Sequence, residues 1–70
     1  MFIYTLHSLE KMDALGIEKN EVESAIIKGM KWKEEDTDKW HANMSGVEVV
    51  FMKQEEKFII ITTYLARREK

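Results

Sequence analysis

The chain has 70 residues, 11 Lys plus Arg against 13 Asp plus Glu, a formal net charge of -2 and no cysteine. That length makes one small domain that buries only about 60% of its unfolded surface, and without cysteine neither a disulfide framework nor a thiolate zinc site can staple it. The acidic balance disfavours RNA or DNA held mainly through phosphate contacts, which calls for a basic excess, although local clustering can still make a small basic patch.

The apolar start, Met1 to Tyr4, is too short for a signal peptide and no run approaches membrane-spanning length, so a soluble, cytoplasmic protein without membrane contact is expected. Phe2-Ile3-Tyr4 reads as a short strand or as an arm laid against a sheet. From Thr5 the spacing changes: Leu6, Leu9, Met12 and Leu15 recur every third residue and Gly16 follows, which predicts a helix over Leu6 to Leu15 with Thr5 as N-cap and Ser8 three residues on. A second helix is expected within Ile17 to Gly29. Glu18 at the N-cap puts Glu21 at the third helical position and lets Ile17 staple against Val22; a start at Asn20, with Glu23 at that position, is the alternative. Val22, Ala25 and Ile26, extending to Met30, are expected to form its buried stripe, while Lys19, Glu23 and Lys28 face water.

After Gly29 the period falls to two. Met30, Trp32 and Glu34 alternate with Lys31, Lys33 and Glu35 up to an acidic turn at Asp36-Thr37-Asp38. Trp40, Ala42 and Met44 then alternate with Lys39, His41 and Asn43, and Ser45-Gly46 makes a tight turn. Val47, Val49 and Phe51 oppose Glu48, Val50 and Met52, and the charged loop Gln54 to Lys57 leads into Phe58 to Leu65. This last run is almost entirely β-branched or aromatic. Strict alternation sets Phe58, Ile60, Thr62 and Tyr64 on one face and Ile59, Ile61, Thr63 and Leu65 on the other, both largely apolar, which predicts a central strand covered on both sides. Trp32 and Trp40 read as a cross-strand core pair. The tail Arg67-Arg68-Glu69-Lys70 reads as solvated.

The expected fold is therefore α+β, two N-terminal helices packed on a four-stranded antiparallel sheet. Two helices cover one face only. Val50, Met52 and one face of the last strand then remain as apolar surface, which points to self-association as a homodimer or to a partner segment.

Several residues bear on chemistry. His7 either hydrogen-bonds backbone at the helix start or acts as a proton donor and acceptor near neutral pH. Lys11 lies one turn later on the same face, where it is a phosphate-binding cation or an ordinary solvated lysine. Tyr64 is a core aromatic or a base-stacking group, followed by Arg67 and Arg68. His7 and His41 are the only histidines, and although Asp36, Asp38 and Glu48 approach His41 across the turn, no close metal-ligand spacing exists. No phosphate loop or nucleophile motif is present either, so neither metal nor cofactor is expected.

His7, Lys11 with Met12, Gly16-Ile17, Val22 with Ala25-Ile26 and Gly29, and the run Ile59 to Tyr64 give the chain a pattern that resembles a small bacterial and archaeal family, a domain of unknown function grouped with the RelE/ParE toxin-like fold. The resemblance covers nearly the whole chain. It implies a RelE-like fold, an antitoxin as partner, and metal-independent ribonuclease chemistry in which His7 is acid or base, Lys11 or Arg67 stabilises the phosphorane and Tyr64 orients a base. The alternative is a non-enzymatic interaction module. Convergence of His7, Lys11, Tyr64 and Arg67 on one open concavity would favour the first.

Overall fold

A computed structural model describes residues 1–66. Its elements run β1 (Phe2–Tyr4), α1 (Leu6–Leu15), α2 (Lys19–Lys28), β2 (Met30–Lys33), β3 (Lys39–Met44), β4 (Val47–Gln54) and β5 (Lys57–Leu65). The class is α+β, as the sequence implies, but the sheet has five strands in the order β1-β5-β4-β3-β2. β1 lies parallel to β5, so the sheet is mixed rather than a four-stranded antiparallel meander. The physical reason is connectivity. The helical pair carries the chain across one face of the sheet, leaving β1 and β2 at opposite edges, and the edge of β5 is open to the strand that began the chain.

Helix boundaries follow local chemistry. Thr5 caps α1, its hydroxyl oxygen accepting from the Ser8 N–H at 3.2 Å. The same hydroxyl donates to the Ile60 carbonyl at 2.8 Å, which fixes the start of α1 against β5. Gly16 ends α1 in the left-handed region at φ 72°. At α2 the Glu18 start prevails over Asn20, because the Glu21 carboxylate reaches back to accept from the Glu18 N–H at 2.9 Å. Gly29 closes α2 for a different reason: its φ is ordinary, but a Cβ there would lie 2.5 Å from the carbonyl oxygens of both Ala25 and Asn43. Glu23 does not simply face water as expected. It is half-buried and accepts from the Tyr4 hydroxyl at 2.7 Å, tying β1 to α2. The Tyr4 pKa is raised by burial and by that bond to a carboxylate.

One core lies between helices and sheet, with Met12, Val22, Ala25 and Ile26 against Ala42, Val49, Phe51 and Ile60. Parity along β3 and β4 is as expected. Along β5 it is not. Val50 pairs with Thr62 and Phe51 with Ile60, so Ile61 is an extra residue in a β-bulge. The bulge reverses the phase: Phe58, Ile60 and Thr63 share the helix-facing side, whereas Ile59, Thr62 and Tyr64 share the other. Thr63 is thereby fully buried, and among the described residues its hydroxyl has no hydrogen-bond partner.

Nor is β5 covered on both sides. No described element lies over the second face of the sheet, and Ile59 and Ile61 are only half-buried. The tryptophan pair is also undone. Trp32 stands opposite His41, and Trp40 opposite Lys33, so the two indoles lie on opposite faces. Among the described residues no helix is long and apolar enough to cross a membrane.

Candidate functional site

The uncovered face is organised in cross-strand rows. One runs Thr62, Val50, His41, Trp32 and the next Tyr64, Glu48, Asn43, Met30, while Ile3, Ile59 and Met52 make an apolar strip alongside. Of the described residues expected to carry chemistry, Tyr64 lies on this face and His7 reaches Thr62 from the start of α1. His7 is exposed at the start of α1, its Nε2 3.2 Å from the Thr62 hydroxyl. Lys11, one turn later, is half-buried. Tyr64 is on the face, but its hydroxyl is turned to Glu48, donating to Oε2 at 2.7 Å. Arg67 and Arg68 lie outside the described residues. Thr62, which His7 contacts from α1, and Tyr64 thus share one face of β5, yet the polar ends of His7 and Tyr64 are committed to different neighbours.

The densest polar group on the face is one the sequence marks only partly. His41 sits between two carboxylates, Nδ1 3.0 Å from Glu48 Oε2 and Nε2 2.5 Å from Glu34 Oε2. Glu48 also accepts from the Asn43 amide at 3.4 Å, and Glu34 from the Thr37 hydroxyl at 3.3 Å. Trp32 stacks on the imidazole, with centroids 5.4 Å apart and planes 7° from parallel. Of the acids expected near His41, Glu48 is there, while Asp36 and Asp38 are exposed in the turn. Glu34 takes their place because the β2–β3 register brings the end of β2 beside His41. The tight turn at Ser45-Gly46, both with positive φ, was the available signal for Glu48, since it sets Asn43 opposite Glu48.

These contacts bias protonation in one direction. Burial by itself pushes the His41 pKa down, but hydrogen bonds to Glu34 and Glu48 outweigh it and the value is raised. Glu48 is pushed up by burial and more strongly down by its bonds from Tyr64, His41 and Asn43, ending lowered. Glu34 is lowered chiefly by its bond to His41. Tyr64 is pushed up to about 12, first by donating to the Glu48 carboxylate and then by burial. The favoured state is an imidazolium donating from both nitrogens to two carboxylates. In that state each of these protons lies between two groups of the array.

Among the described residues no group of three or more His, Cys, Asp or Glu side chains is placed to hold a metal ion. No protein-family model, curated protein or solved structure matches the chain.

Proposed function

We propose that this chain is a protein-interaction module that pairs with a second copy of itself across the uncovered face of its sheet. The observation that carries the reading is the nature of that face: an apolar strip of Ile3, Ile59 and Met52 beside a polar array whose hydrogen bonds are already made within the chain. A partner can cover Glu34, His41, Glu48 and Tyr64 without orphaning them, and orphaning is the main cost of burying polar groups. Five strands about 4.8 Å apart and roughly 20 Å long, stacked on a second such sheet, would bury on the order of 1,000–1,500 Å² in total. That reaches the smaller stable interfaces. It also supplies burial to a domain whose core provides only about 3–5 kcal/mol.

Sedimentation equilibrium tests the reading. A dimer is expected for the wild type, with Ile59→Lys and Met52→Lys driven to monomer and Ile27→Lys, exposed on α2, still dimeric. A monomeric wild type at about 1 mM, or dimers that survive both face substitutions, would overturn it.

A second reading follows the family resemblance, a RelE-toxin-like ribonuclease module held by an antitoxin. It is favoured by one contact, His7 on Thr62, two positions from Tyr64 on the same face. In it His7 moves the proton while a 2′-hydroxyl attacks the adjacent phosphate, with Lys11 or Arg67 steadying the charge. RNA cleavage in EDTA that disappears in folded His7→Ala and Lys11→Ala proteins would support it. Absence of cleavage, or equal cleavage by all three, would leave the interaction module.

A further inference from the structure

The helix-covered face of the sheet is not covered to its end. α2 packs on β3 and β4, and beyond its last turn Trp40 and Phe58 are left half-buried. There Ile26, Lys31, Trp40, Phe51, Lys53 and Phe58 line an open cavity of about 210 Å³. Its floor is aromatic. Phe51 and Phe58 meet edge to face at 5.8 Å, Phe2 extends the shelf by stacking on Phe58 at 5.3 Å, and Trp40 is Phe51's neighbour on β3.

Two cations stand at the rim. Lys31 Nζ donates to the Gly29 carbonyl at 2.9 Å, which anchors the ammonium at the end of α2 with donors to spare. Lys53 is exposed on β4, opposite Phe58 in the register. Among the described residues the lining contains no carboxylate, and neither lysine has an acidic partner within ion-pair distance. In a chain with more acids than bases, an aromatic shelf bordered only by cations selects ligands by charge sign as well as by shape. The plainer account is that the lysine stems merely drape over apolar surface; stems alone would not distinguish an anion from a cation.

We infer that this cavity is a binding site for a small amphiphilic anion, a flat aromatic body lying against Trp40, Phe51 and Phe58 with its anionic head between Lys31 and Lys53. The cavity is small by the standard of ligand sites, so a two-ring aromatic acid is the appropriate size and affinity for a simple probe is expected at about 0.1–1 mM. The site lies on the side of the sheet away from the proposed self-association face, so the two proposals succeed or fail independently.

The probe is 2-naphthoate, titrated into the full chain and followed by amide and indole NMR shifts, with 2-naphthylmethylammonium as its charge-reversed counterpart. The expected result is saturable shifts centred on Ile26, Trp40, Phe51 and Phe58 for the anion, at least about tenfold weaker binding of the cation, and loss of about fivefold or more in Lys53→Glu. Lys53 is exposed, so that variant keeps its fold. Equal binding of the two probes, shifts centred elsewhere, or none at 5 mM naphthoate on the order expected for fragment binding would overturn the inference. An octauridylate arm separates the remaining possibility: if it shifts the same resonances at lower concentration than naphthoate, the shelf is a nucleic-acid surface and the small-anion assignment fails.

Discussion

Replacing Thr63 by Val should stabilise the protein. Thr63 is fully buried on β5 opposite Val49, and its hydroxyl has no partner among the described residues. A buried hydroxyl without a hydrogen bond costs about 1–3 kcal/mol relative to an apolar group of the same shape, and valine is close to isosteric while favouring the strand. The expected gain is about 1–2 kcal/mol, a large share of what so small a core supplies. In thermal unfolding followed by far-ultraviolet circular dichroism it corresponds to a rise in Tm of about 5–10 °C, and in urea to a later midpoint at unchanged slope. Thr62→Val is the matched control. Thr62 is half-buried on the other face with its hydroxyl against His7, so its replacement should change stability by no more than about 0.5 kcal/mol. The pair reads the bulge directly. Were β5 to alternate without interruption, Thr62 would face the helices with Ile60 and Thr63 would face away. A stabilising Thr62→Val beside a neutral or destabilising Thr63→Val would therefore refute both the bulge and the buried orphan.

Two further perturbations test how the chain is held. Gly29→Ala, which forces a Cβ into the Ala25 and Asn43 carbonyls at 2.5 Å, should cost about 3 kcal/mol or more, whereas Gly16→Ala, strained only by its positive φ with open space around it, should cost about 1–2 kcal/mol; equal losses in chemical denaturation would contradict the close approach at Gly29. His41→Gln should cost about 2 kcal/mol at pH 6, the scale of hydrogen bonds to charged groups. Because the folded pKa of His41 is raised, its contribution is complete below the unfolded value of about 6.5 and fades as pH rises through the folded value. Glu34 and Glu48, lowered in the fold, contribute above about 4.3 and lose that contribution as pH falls through their folded values. Stability of the wild type relative to His41→Gln should then be greater at pH 6 than at pH 9, measured by urea midpoints, and a difference independent of pH would remove the charged array from the account.

Legibility in the sequence tracked the range of the interaction that decides each feature. Thr5, Gly16 and the Glu18–Glu21 pair act within a turn of themselves, so α1 is readable residue by residue and the start of α2 is narrowed to Glu18 or Asn20. Parity on β3 and β4 was readable because a two-residue turn at Ser45-Gly46 locks the register. The face of Trp32 is not legible, because the longer connection from Glu34 to Asp38 leaves the register of β2 open, and one residue of slip moves an indole to the opposite face. Residue type points to His7 and Tyr64, but side-chain type does not say which neighbour takes the proton. Glu34 carries no sequence signal, because nothing in the chain near it predicts a histidine at its carboxylate.

From the amino-acid order alone come two capped helices, a run of β-strands with the right inner faces on β3 and β4, and too few helices to cover both sides of a sheet. Those follow from propensity, capping and period, which are local. The tertiary structure decided that β1 joins β5 in parallel across more than fifty residues of chain, that a bulge at Ile61 exchanges Thr62 for Thr63 in the core, and that Glu34, His41, Glu48 and Tyr64 form one array. Each of these depends on which strand edges are free once the helices have packed, a question of register and connection that no short window of sequence contains.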